Sequence, residues 1–168
     1  MFEARAIESD SKPVFYAELA EQLSSLLHGE TDAIANAANS AALLFEMMPD
    51  LNWAGFYFLR DAQNGAGQEL VLGPFQGKAA CVRIAIGRGV CGAAVAKRET
   101  MRIEDVHAFA DHIACDSASR SELVVPLIKD SRIIGVLDLD SPLPARFDTE
   151  DQAGVEKLAE VYLTASNI

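Results

Sequence analysis

Three carboxylates and one cysteine hold most of the chemistry that this sequence can do. In "IIGVLDLDS", period-two alternation places Gly135, Leu137 and Leu139 on one face and Val136, Asp138 and Asp140 on the other. If Lys129 to Ser131 form a three-residue turn, Ile128 faces Arg132, and counting back sets Glu122 opposite Asp138 on that same face. Three carboxylates on one surface raise at least one pKa unless a cation balances them. The plainer alternative is a solvated outer face on an edge hairpin. Cys115 tips the balance. It lies seven residues before Glu122, flanked by Asp116, Ser117, Ser119 and Ser121, where a structural cysteine would have aliphatic neighbours. Close to carboxylates a thiol pKa rises, which does not suit a standing thiolate. It suits a thiol that meets a substrate with its own positive charge. A zwitterionic amino acid supplies an ammonium for the carboxylates, and a protonated Asp or Glu can protonate a substrate oxygen as sulfur attacks. Cys81 and Cys91 are candidates to resolve an oxidised Cys115 as a disulfide; the bland reading of each is a small buried hydrophobe. Trp53 could wall an apolar pocket or be plain core.

The elements that must position these residues follow from hydrophobic period. Ser11 and Pro13 start a helix with Phe15, Leu19, Leu23 and Leu26 on one stripe, ending near His28-Gly29. Thr31 restarts a helix whose Ile34, Ala38, Ala41, Phe45 and Met48 form one stripe, stopped by Pro49. The period then changes from about 3.6 to 2. "NWAGFYFLR" and "ELVLGPF" read as a hairpin around "DAQNGAGQ", "CVRIAI" as a third strand, and Val90 to Lys97 as a short helix. "MRIEDV" is a brief strand, 106–120 a long polar loop, and "ELVVPLI" with "RIIGVLDLD" a second hairpin. Asp148 caps a last helix with Val155, Leu158, Tyr162 and Ala165 on one face. The order predicts an α+β domain. A mostly antiparallel sheet carries the N- and C-terminal helices on one face, with loops and a short helix covering the other.

Other chemistries fit less well. "GRGVCG" satisfies G-x-G-x-x-G with Gly87, Gly89 and Gly92, but its helix is too short for a crossover and its sheet reads as antiparallel. Glycines for a tight strand-to-helix turn explain it, and NAD is rejected. His107, His112, Cys115, Cys91 and Cys81 supply metal-ligand atoms but form no C-x-x-C or H-x-x-x-H pair, so no metal is expected. His28 reads as a surface residue at a helix end. The net charge of −11 argues against nucleic acid or an anionic membrane as partner. No apolar run approaches the ~20 residues of a membrane span. With no signal-like N-terminus, the protein is expected to be cytoplasmic, its three cysteines thiols.

The segments "NWAGFYFL", "LVLGPFQGKAACVRI", "GRGVCGAAVA", "RIEDVH", "HIACD", "SELVVPL" and "IIGVLDLDS" resemble the free methionine-R-sulfoxide reductase family, built on a GAF domain. The likeness runs from about Ser11 to the last helix, a single GAF domain over 11–168 with residues 1–10 an N-terminal extension. The resemblance implies reduction of free L-methionine-(R)-S-oxide, with no cofactor beyond reducing equivalents from thioredoxin. It makes Cys115 the sulfur nucleophile, passing through a sulfenic acid, and Cys81 the resolving cysteine with Cys91 a second or alternative partner. Glu122, Asp138 and Asp140 would hold the ammonium and sulfoxide ends, Asp140 being counted with the catalytic groups, and Trp53 would pack on the substrate methyl. The family's homodimeric habit implies first helices meeting across a two-fold. The alternative function is a non-enzymatic GAF-type sensor of a small ligand, or a redox switch using the same thiols.

Overall fold

A computed structural model describes residues 2–63, 65, 67–109 and 117–168. The first helix, α1 (Lys12–Leu26), carries Pro13 in its first turn, where a missing N–H costs nothing. It buries Tyr16, Leu19 and Leu23, with Leu27 just beyond its end, while Phe15 and Leu26 are only half-buried. Helix α2 (Ala33–Met47) is capped by Asp32, whose carboxylate accepts the amides of Ile34 and Ala35. Its buried face is Asn36, Ala37, Ser40, Ala41, Leu43 and Leu44; of the expected stripe Ala41 and Met48 are buried and Phe45 half-buried, while Ile34 and Ala38 face solvent. The face is polar where it meets the last helix: the Asn36 amide donates to the Ser166 hydroxyl and to the carbonyls of Glu30 and Ala165.

Six strands follow: β1 (Trp53–Asp61), β2 (Gln68–Gly77), β3 (Arg83–Ala85), β4 (Met101–Ile103), β5 (Ser121–Lys129) and β6 (Arg132–Ser141). They form one antiparallel sheet in the order β3-β2-β1-β6-β5-β4, so the two predicted hairpins meet through β1 and β6 at its centre. Helix α3 (Gly89–Lys97) follows β3, and α4 (Thr149–Ala165) closes the chain behind a capping box between Asp148 and Asp151.

Alternation sorts the sheet into two faces. Ala54, Phe56 and Phe58 of β1, Leu123, Val125 and Leu127 of β5, and Leu137 and Leu139 of β6 face the helices. There α2 lies on β1 and β2, α4 on β5, and α1 on α4. Phe2, Ala4 and Ile7 of the N-terminal segment pack against the same cluster. On the opposite face Trp53, Tyr57, Val124 and Val136 form a second cluster with Val90, Cys91, Ala94 and Val95 of α3. This second face holds the site.

The β5–β6 register differs from the expectation. The turn has two residues, Asp130 and Ser131, both with positive φ (49° and 62°), and pairs Lys129 with Arg132. A shift between Leu127 and Ile128 then leaves Ile134 unpaired, with Ile128 opposite Ile133 and Leu127 opposite Gly135. Glu122 consequently faces Asp140, and Val124 faces Asp138. The two-residue turn alone would have moved the register by one and turned the aspartates to the helix side. The bulge moves it by one more and restores the face.

Candidate functional site

One pocket opens on the second face, lined by Trp53, Tyr57, Arg88, Gly89, Val90, Cys91, Ser119, Glu122, Asp138 and Asp140 among others. It is narrow, its enclosed space about 30 Å³. The sheet supplies its floor. Positions 53 and 57 of β1 point the same way by period two, and the two rings stack at 5.9 Å between centroids. Phe75 of β2 stacks on the other side of Trp53 at 5.3 Å. The Trp53 indole donates to the Lys78 carbonyl at 3.1 Å and the Tyr57 hydroxyl to the Cys81 carbonyl at 3.0 Å, fixing both rings and the chain after β2.

The acidic wall comes from the start of β5 and the end of β6. Glu122 and Asp138 are each 6 % exposed, and Asp140 is half-buried. Burial, reinforced by the negative charges of Asp138 and Asp140 and a hydrogen bond to Asp138, pushes the Glu122 carboxyl well above its ordinary range. Burial also pushes Asp138 up to about 7, against the opposing effect of hydrogen bonds from Cys91 and Glu122. The arrangement is that of a shared proton, with Glu122 holding it and Asp138 accepting. At neutral pH the wall can therefore present a proton donor and a negative charge side by side.

Helix α3 supplies the opposite wall. The turn leading into it needs its glycines: Gly87 and Gly89 have φ of +85° and +60°, and a Cβ at Gly92 would overlap the Ala85 carbonyl oxygen. That is the work done by "GRGVCG". The residue before the helix, Arg88, makes no side-chain cap, so the first amides of α3 and the Arg88 side chain border the pocket with the positive end of the helix. In the first turn Cys91, 4 % exposed, donates its thiol to Asp138 Oδ2 at 3.3 Å and lies 4.0 Å from Glu122 Oε1. Burial and the two carboxylates push this thiol well above its usual pKa. In this arrangement the Cys91 thiol serves as a hydrogen-bond donor, and its surroundings disfavour a standing thiolate.

The structure thus brings Trp53, Cys91, Glu122, Asp138 and Asp140 into one pocket. Cys81 lies next to Ala80, which lines the same pocket; it is half-buried, with its carbonyl held by Tyr57. Cys115 and His112 lie outside the described residues. The segment that bears them is anchored on both sides. Val106 is fully buried and its amide donates to the Arg120 carbonyl, the Arg120 amide donates to the Ser141 carbonyl, and the Asn52 amide holds the Ser119 hydroxyl. Sequence reasoning missed Tyr57, Arg88 and Ser119. Tyr57 was within reach, two positions beyond Gly55 on the Trp53 face; nothing in the sequence marked Arg88 or Ser119.

A family model described as "GAF domain" matches residues 18–162. The chain is 55 % identical over 148 residues to the "Free methionine-R-sulfoxide reductase" of Escherichia coli (strain K12), covering 88 % of this chain and 86 % of that protein. It is 39 % identical to the protein of the same name from Saccharomyces cerevisiae, covering 86 % of this chain and 83 % of that one. Among solved structures, free methionine-R-sulfoxide reductase from Neisseria meningitidis in complex with its substrate superposes with a TM-score of 0.89 at 46 % identity, over 98 % of this chain and 95 % of that one.

Proposed function

This chain belongs to the GAF-domain free methionine-R-sulfoxide reductases, and from that premise we propose how its own residues divide the work. The enzyme reduces free methionine-R-sulfoxide to methionine. The observation that carries the residue assignment is the pairing, across one pocket, of an uncapped helix N-terminus with a buried Cys91–Glu122–Asp138 cluster. A free amino acid needs both. Its ammonium pairs with Asp138 and Asp140, its carboxylate with the first amides of α3 and Arg88, and its methyl rests on Trp53.

The chemical step then follows from charge. The Cys115 sulfur attacks the sulfoxide sulfur while Glu122, a buried carboxyl whose pKa is raised by burial and by the neighbouring aspartates, gives its proton to the sulfoxide oxygen. The hydroxyl then passes from the substrate sulfur to the Cys115 sulfur as the bond between the two sulfurs breaks; methionine leaves, Cys115 is left as a sulfenic acid, and the former thiol proton restores the Glu122 carboxyl. The Cys81 thiol attacks that sulfur, water leaves, and a Cys81–Cys115 disulfide remains. A thioredoxin dithiol takes over the disulfide and returns two thiols to the enzyme. Cys91 is engaged as a donor to Asp138, which favours Cys81 as the resolving thiol, with Cys91 the second or alternative partner. The functional unit is a homodimer working in the cytoplasm, and the GAF domain extends over 11–168; no described helix is long and apolar enough to cross a membrane.

Steady-state turnover with thioredoxin tests the recognition. Free R-sulfoxide is reduced, and blocking its amine by acetylation or its carboxylate as an amide lowers kcat/KM by ~100-fold or more. Equal turnover of the acetylated compound would remove Asp138 and Asp140 as ammonium partners.

A further inference from the structure

We propose that Cys91, Glu122 and Asp138 form a site for a single thiophilic divalent cation of the zinc class, and that a cation seated there excludes methionine sulfoxide. The exclusion rests on the substrate assignment above; the cation site rests on geometry alone. The three ligand atoms all lie within 4.8 Å of one another. Tetrahedral zinc, with Zn–S near 2.3 Å and Zn–O near 2.0 Å, sets sulfur and oxygen about 3.5 Å apart. The sulfur here stands 3.3 Å from Asp138 Oδ2 and 4.0 Å from Glu122 Oε1, on either side of that separation. A second feature points the same way: with Glu122 ionised, the buried Asp138 Oδ1 has no hydrogen-bond donor. A buried acceptor without a donor is costly, and a cation removes the cost.

The ligands come from three elements, the first turn of α3, the start of β5 and the middle of β6, each held by the sheet or the helix packed on it. Their spacing along the chain matches no metal signature, which is why sequence alone gave none. One thiol among the donors favours zinc or cadmium over magnesium or calcium. Three protein ligands leave a fourth position open to the pocket, as in sites where zinc meets small molecules rather than holding a fold together. On binding, the Cys91 S–H and any carboxylic O–H release protons to solvent, the sulfur and oxygen lone pairs bond the metal, and no electron is transferred. The cation then occupies the place of the substrate ammonium and strips the wall of its proton, so it inhibits.

The test uses reduced, metal-stripped protein with Cys81→Ser and Cys115→Ser, leaving Cys91 as its one thiol, titrated with cadmium and followed by the sulfur-to-cadmium charge-transfer absorption. Saturation by a single ion is expected. Adding Cys91→Ser removes the band, and Asp138→Asn, a second variant that keeps the thiol, weakens binding ~10-fold or more. In the wild type, free methionine-R-sulfoxide displaces the cation, and zinc raises KM. No saturable band, or a band that survives loss of Cys91, overturns the site; cadmium binding indifferent to saturating sulfoxide overturns the exclusion. Turnover of the wild type in chelator is read separately. Its failure would count against the substrate assignment, while the cadmium titration still decides the site.

Discussion

At the scale of single residues, the pocket separates two thiols and two carboxyls of the same kind by their surroundings. Cys91 is buried against carboxylates and stays protonated, whereas the nucleophile must be reachable. Native protein treated with iodoacetamide at neutral pH is therefore expected to leave Cys91 unmodified by mass spectrometry while Cys81 reacts; fast labelling of Cys91 would contradict its role as a donor. With Glu122 proposed as the proton source, Glu122→Gln is expected to lower the single-turnover rate ~100-fold or more at neutral pH. In the wild type that rate falls as pH rises through the raised pKa of Glu122, and in the variant this alkaline limb is lost. A pH–rate profile on both proteins checks it; an unchanged limb in Glu122→Gln would assign the proton elsewhere. The acidic face itself was legible in "IIGVLDLDS", because parity along a strand is rigid. The partner of Glu122 was not. A two-residue turn and an unpaired Ile134 shift the register by two, and a bulge between like aliphatic residues leaves no mark on the pattern.

At the scale of elements, helix faces proved harder to read than strand faces. Of the α2 stripe, Ala41 and Met48 are buried, but Ile34 and Ala38 are exposed and the buried side also contains Asn36 and Ser40. In an alanine-rich helix hydrophobicity barely distinguishes the faces; Asn36 is buried because it satisfies the end of α4, and Ser40 because its hydroxyl donates to the Asn36 carbonyl. The α1–α4 contact is set by a different detail, Gly154, where a Cβ would overlap the Tyr16 ring. Tyr16 cannot retreat, since its hydroxyl donates to the buried Asp151 at 2.7 Å. Gly154→Ala is expected to destabilise the fold by ~1–3 kcal/mol, in spite of alanine's better helix propensity, with the loss read by urea denaturation. A neutral or stabilising result would mean that α1 slides on α4 at no cost. The turn "GRGVCG" shows the reverse case: reading its glycines as turn geometry agrees with the positive φ of Gly87 and Gly89 and the close approach at Gly92.

At the scale of the whole molecule, two sets of carboxylates pull stability in opposite directions with pH. Asp138, with a folded pKa raised by burial from 3.8 to about 7, binds its proton more tightly when folded; its contribution is fully present below about 3.8 and is lost as pH rises toward 7. Asp148, lowered to about 2 chiefly by its hydrogen bond from Lys12, contributes above 3.8 and loses that contribution as pH falls toward 2. Denaturant midpoints are accordingly expected to rise from pH 8 to a maximum near pH 4 to 6 and to fall below it, with Asp138→Asn flattening the neutral side. A wild-type profile flat from pH 5 to 8 would deny the buried acidic wall its stability cost. The reaction proposed for that wall is tested most directly by single-turnover reduction of separated R and S forms of free methionine sulfoxide, with protein thiols counted and the disulfide mapped. One methionine formed and two thiols lost, from the R form alone and with Cys81 joined to Cys115, is the predicted result. Neither form turning over, with every thiol intact, would contradict the account and return the chain to the ligand-binding sensors that share its fold.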